Sequence, residues 1–99
     1  TPLFNRQEDL SVILEYRNKI SEEKIISATD TVGSLFADRE RFQLFYPEFT
    51  MHNALPDYIF IDKKVDYYND SRKKADLYIN EKGYKIDYEN DGLLVLSNN

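Results

Sequence analysis

Apolar positions in this chain fall into short runs of two distinct periods. Leu10, Ile13 and Leu14 recur at helical spacing, with Arg17 continuing the row and Glu8, Glu15 and Asn18 opposite. The pattern predicts an amphipathic helix over 6–19. Asn5 followed three residues on by Glu8 makes a capping-box-like start, in which side chains satisfy the free backbone donors of the first turn. A β-branched run over 24–28 predicts a strand. Thr29, Asp30 and Thr31 close it with cap-forming side chains. Residues 32–37 then predict a short helix with Val32, Leu35 and Phe36 inward, weakened by Gly33. The charged stretch 38–41 leads to a strand over 42–46, whose ladder Pro47 ends.

The densest apolar run follows. Residues 57–61 are nearly all hydrophobic, the pattern of a strand covered on both faces. The polar cluster Asn69-Asp70-Ser71 precedes a predicted helix over 71–82, with Ala75, Leu77, Tyr78 and Ile79 as buried candidates. Gly83 stands where a left-handed residue ends a helix. Residues 84–88 alternate apolar and polar at period two, and Asn90-Asp91-Gly92 signals a hairpin whose central residues favour positive φ. Residues 93–96 close the pattern as a strand. The order α-β-α-β-β-α-β-β predicts an α/β sandwich of two or three layers, Rossmann-like in type. Right-handed crossovers make the first three strands parallel and put the more apolar hairpin strand inside. The expected sheet is mixed and five-stranded, in the order 2-1-3-5-4, with a C-terminal β-hairpin.

Length and composition narrow this picture. The 99 residues suit one domain spanning 1–99, and 41% hydrophobic content is enough for a packed core. Eight Tyr and six Phe against one Met and no Trp make that core aromatic, with hydroxyls that need partners. A net charge of −5 argues against nucleic acid, whose phosphates call for a basic face, and against an anionic membrane surface. The lack of Cys excludes disulfides and thiolate chemistry. The chain opens on Thr1 rather than Met, which predicts a fragment or a processed chain.

Candidate chemistry is sparse. Gly33, Gly83 and Gly92 are isolated and form no phosphate-binding loop. His52, the single histidine, lies beside no nucleophile motif, so a structural histidine is the expectation. Asp87, Glu89 and Asp91 alternate along the hairpin and read as a solvated face rather than a calcium site. No metal ligands or cofactor are expected. Thr29 and Asp30 follow the first strand, where open α/β sheets hold ligands, although helix capping is the favoured role. Arg39 is a candidate for binding a carboxylate or sugar phosphate, with surface pairing to Asp38, Glu40 or Glu48 as the commoner fate. The binding candidates are therefore Thr29, Asp30 and Arg39, and no residue is singled out as catalytic. The tyrosines suit a carbohydrate surface, yet their spread over all segments places them at core edges. Asp57 and Asp62 bracket the densest run as strand-end caps.

Two segments together carry a resemblance. They are Ile26-Ser27-Ala28-Thr29 with Leu35-Phe36-Ala37-Asp38-Arg39-Glu40-Arg41-Phe42 and Tyr46-Pro47, and Ala54-Leu55-Pro56-Asp57-Tyr58-Ile59-Phe60-Ile61-Asp62. The pattern resembles the C-terminal region, outside the bilayer, of a family of predicted multi-pass membrane proteins of unknown function, distantly like lipid-linked-sugar glycosyltransferases. The tail from Gly83 to Leu96 fits the way such chains end. Where that family shows a histidine before Leu-Ser-x-Arg, this chain has Ser34-Leu35-Phe36-Ala37-Asp38-Arg39, so only the arginine carries over. The resemblance implies membrane spans before Thr1 and an extracytoplasmic accessory or binding domain. Its partners would be the spans of the same parent chain and a carbohydrate or lipid-linked sugar. The alternatives are a part that positions the acceptor of a membrane glycosyltransferase, or a small interaction domain without a membrane link.

Overall fold

A computed structural model describes residues 6–47 and 54–98. Helix α1 (Gln7–Lys19) is followed by strand β1 (Ile26–Ala28), helix α2 (Asp30–Gly33) running into a 3₁₀ turn (Ser34–Phe36), and strand β2 (Phe42–Leu44). Strand β3 (Tyr58–Asp62), helix α3 (Tyr68–Lys82) and strands β4 (Lys85–Glu89) and β5 (Leu93–Ser97) complete the order. The five strands form one mixed sheet in the order β2-β1-β3-β5-β4. β1 pairs in parallel with both β2 and β3, in the registers Ile26↔Phe42 and Ile26↔Tyr58. β3 pairs antiparallel with β5, Tyr58 facing Ser97 and Asp62 facing Leu93. The α/β class, the mixed five-stranded sheet, its strand order and the C-terminal hairpin match the expectation from handedness and hydrophobicity.

Strand alternation sorts the core into two layers. On one face Ile26, Ala28, Phe60, Leu93 and Val95 meet Ile13, Tyr16 and Ile20 of the α1 segment and Val32 and Phe36 after β1. On the other, Ile59, Ile61, Leu94 and Leu96 meet Phe45, Tyr84 and the α3 residues Ala75 and Tyr78. Ile59, Phe60 and Ile61 are fully buried, so β3 is covered on both faces.

Several expected details shift. In α1 the buried positions are Asp9, Ile13 and Tyr16; of the expected stripe Leu10, Ile13 and Leu14, Ile13 is fully buried and Leu10 packs partly buried against the core. Tyr16 draws the inner face round, because its ring meets Phe60 edge-on at 5.4 Å and its hydroxyl donates to Asp87 Oδ2 at 2.5 Å. Leu77, expected inside, is 52% exposed, and Ser71 takes an inner position instead. α3 begins at Tyr68, a turn before the Asn69-Asp70-Ser71 cluster ends. Gly83 has φ +77 and the left-handed geometry expected of a helix terminator. Asn5 and His52 lie outside the described residues.

The hairpin differs in kind. Among the described residues only Gly83 has positive φ, so the β4–β5 turn is not the mirror-image type anticipated from Asn90-Asp91-Gly92. The Asn90 side chain closes it instead: Oδ1 accepts the amides of Gly92 at 2.9 Å and Leu93 at 2.8 Å. A β-bulge between Ile86 and Tyr88 also breaks the period-two pattern of β4. Tyr84 joins the α3-side core, while Tyr88 packs on the α1 side.

A candidate site at the carboxyl edge of the sheet

Open α/β sheets place ligands beyond the carboxyl ends of parallel strands, where connections leave in opposite directions. Here β1 has β2 on one side and β3 on the other, which puts that point at Thr29, Asp30 and Asp62. Thr29 stands at the N-cap position of α2, yet its side chain makes no cap bond. Its backbone carbonyl receives the Val32 and Gly33 amides, and its Oγ1 accepts the Asp62 amide at 3.0 Å. The capping role expected of the Thr29 side chain is thus replaced by a strand-to-strand link. The exchange follows from position: the hydroxyl is buried beside β3, whose ladder leaves the Asp62 amide to be satisfied.

Asp62, 3% exposed, is the hub. Its Oδ1 accepts Arg6 Nη2 at 2.7 Å and the Lys64 amide at 2.9 Å; its Oδ2 accepts the Thr31 hydroxyl at 2.6 Å. The Lys64 bond is the strand-end turn expected of Asp62. Arg6 Nη2 also donates to the Gly92 carbonyl at 2.9 Å, and its Nε donates to Asp9 Oδ2 at 3.0 Å. Asp9 Oδ1 accepts Asn90 Nδ2 at 2.7 Å. Burial works against the Arg6 charge, but hydrogen bonds to Asp62 and Asp9 outweigh it and raise its pKa above the usual value. Burying one partner of such a set without the others would leave an uncompensated charge, so the group stands or falls together. It ties the start of α1, the β1–α2 turn, the end of β3 and the β4–β5 turn into one brace. In the sequence Asn90 reads only as a turn residue, and Arg6 and Asp9 carry no motif. Only the Arg6–Asp9 spacing at the helix start hints at their pairing.

Asp30 faces the α3 side of the same edge. The Tyr67 hydroxyl donates to its Oδ1 at 2.8 Å, and burial, reinforced by that bond, pushes the Tyr67 pKa up. The Tyr46 and Tyr67 rings lie 5.6 Å apart at 57°. Lys74 Nζ donates to the Tyr46 carbonyl at 2.7 Å and sits 4.6 Å from the Phe45 ring centre. Asp30, Tyr46 and Tyr67 are each half-buried, so the aromatic pair and its carboxylate form a partly exposed rim.

The structure does not bring Arg39 to this edge. It lies where β2 is entered, with its side chain 3% exposed. Nη2 donates to the carbonyls of Ser21 at 2.6 Å and Lys24 at 3.2 Å, and Nη1 to that of Ile20 at 3.4 Å. The expected surface pairing with Asp38 or Glu40 gives way to this clamp on the α1–β1 connection, with Glu22 at 3.6 Å. Glu48 lies outside the described residues. The hairpin acids also part company: Asp87 accepts from Tyr16 and Ser97, whereas Glu89 meets Lys63 at 2.5 Å and Arg72 at 3.1 Å. The Lys63 bond, with that of Arg72, holds the Glu89 pKa below the usual value. Among the described residues no three His, Cys, Asp or Glu side chains are placed to hold a metal ion. Comparison with known proteins finds no matching family model, no matching curated protein and no matching solved structure.

Proposed function

We propose that this chain is a non-catalytic binding or accessory domain of a multi-pass membrane protein, held outside the cytoplasm, and that it contacts carbohydrate at the Tyr46–Tyr67–Asp30 rim. The rim carries the reading: two half-buried rings 5.6 Å apart stand beside a carboxylate already oriented by Tyr67. Sugars offer C–H faces to aromatic rings and hydroxyl donors to carboxylates, and a few fixed polar groups on an apolar base are the usual makings of a small-molecule site. The brace supports the non-catalytic part. Every oxygen of Asp9 and Asp62 holds at least one protein donor, whereas general acid–base work needs a group free to meet the substrate. Among the described residues no helix is long and apolar enough to cross a membrane, so attachment would come from other parts of the parent chain.

Titration of the chain with mono- and oligosaccharides, followed by thermal shift and amide NMR, tests the ligand. The expected result is a set of perturbations centred on Tyr46, Tyr67 and Asp30 that Asp30→Asn weakens and Tyr67→Ala removes. A panel of sugars that leaves these resonances unmoved would sink the carbohydrate reading. Fractionation of the parent protein tests the attachment, and recovery in the aqueous fraction would overturn it.

A further inference from the structure

The opposite edge of the sheet carries a second feature. A polar hollow of about 570 Å³ lies between the C-terminal end of α1 and the turn that enters β2, lined by Arg17, Asn18, Ile20, Ser21, Glu22, Asp38 and Arg39. Two of these residues are arginines, and they are held very differently. Arg39 is rigid: three backbone carbonyls fix its head. Its Nη1, held by the 3.4 Å bond to the Ile20 carbonyl, is the nitrogen that the exposed Glu22 carboxylate approaches at 3.6 Å. Arg17 is 41% exposed and meets Asp38 at 3.5 Å.

The carboxylates opposite them are loose. Glu22 is 85% exposed and 3.6 Å from Arg39; Asp38 is 73% exposed and 3.5 Å from Arg17. Both distances exceed those of a charge-assisted hydrogen bond, and exposed pairs of this kind contribute little. Each acid can therefore swing into water at small cost, leaving two cations, one fixed and one exposed, around a space large enough for a small anion. Guanidinium forks match the oxygen geometry of phosphate. We infer that this hollow is a phosphate-group site, with Arg39 as the fixed anchor, Arg17 as the closing cation, and Glu22 and Asp38 as built-in competitors. It stands at the amino edge, away from the Tyr46–Tyr67 rim, and does not depend on the carbohydrate reading.

The test is an amide NMR titration of the 99-residue chain with inorganic phosphate, against sodium chloride at matched ionic strength. The expected result is saturable shifts confined to residues 17–22 and 38–39. Glu22→Gln with Asp38→Asn removes the competitors and should tighten binding roughly three- to tenfold. Arg17→Gln, at an exposed position, keeps the fold and should weaken binding about fivefold or more. Shifts reproduced by chloride would overturn the inference. So would an Arg17→Gln chain that binds phosphate as well as the parent, or a double variant with no gain.

Discussion

At the scale of single residues, the two glycines of the C-terminal half are needed for different reasons. Gly83 occupies left-handed backbone at φ +77 with open space around it, so only the conformation resists a side chain. Gly83→Ala should cost about 1–2 kcal/mol. Gly92 has no such backbone, but a Cβ there would stand 2.3 Å from Asp9 Oδ2 and 3.1 Å from Arg6 Nε. Gly92→Ala should cost about 1–3 kcal/mol by forcing the brace apart. Denaturant melts of the single variants and of Gly92→Ala combined with Asp9→Ala separate the causes. The Gly92 penalty should shrink in the Asp9→Ala background, and the Gly83 penalty should not. Strict additivity at Gly92 would exclude the clash. Arg39 makes the same point about hidden context. Its charged neighbours Asp38, Glu40 and Arg41 read as a solvated turn, and nothing local announces that its head reaches back to carbonyls 15 to 19 positions earlier. Arg39→Ala should therefore destabilise the chain by about 1.5–3 kcal/mol, measured by chemical denaturation, and Arg39→Lys should recover little because an ammonium cannot span the three acceptors. An unchanged midpoint would mean that water replaces the guanidinium freely.

At the scale of elements, what was legible depended on whether a segment's surroundings impose a period. β3 was readable because burial on both faces leaves only apolar residues between Tyr58 and Asp62, and β5 for the same reason. β4 looked equally regular, yet it is an edge strand, and the bulge at Asp87 is a matter of pairing that alternation alone does not encode. The bulge lets Asp87 meet Tyr16 while Tyr84 stays in the opposite core layer. The two strands should answer one substitution differently. Ile59→Asp buries an unpaired charge at a fully buried position and should cost several kcal/mol, a large part of the roughly 5–15 kcal/mol available to a domain. Ile86 is 45% exposed on the edge strand, so Ile86→Asp should cost less than about 1 kcal/mol. Circular dichroism melts decide it. Equal losses would contradict the difference in cover between the central and edge strands.

At the scale of the whole molecule, sheet order followed from handedness and from which strands are most apolar, whereas the brace joins residues 56 and 86 positions apart and has no periodic signature. The aromatic composition acts through the packing. Tyr16, Tyr67, Tyr78 and Tyr84 all have pKa values raised above 10.0, with burial the leading cause in each. In the unfolded chain these hydroxyls lose their protons near pH 10, while the folded chain keeps them. The folded state then binds more protons than the unfolded one, so the stability they confer is complete below pH 10 and falls as pH rises above it. The slope approaches about 1.4 kcal/mol per pH unit for each hydroxyl involved. Melting temperature should hold level from pH 7 to 9 and drop steeply above 10. Tyr78→Phe keeps the ring contacts with Phe45 and Tyr84 and should make that drop shallower. Growing repulsion in a chain already at −5 would also lower stability at high pH, but added salt screens it and leaves the burial of neutral hydroxyls untouched. A decline that salt abolishes and Tyr78→Phe leaves unchanged would assign alkaline unfolding to net charge instead of to the tyrosine core.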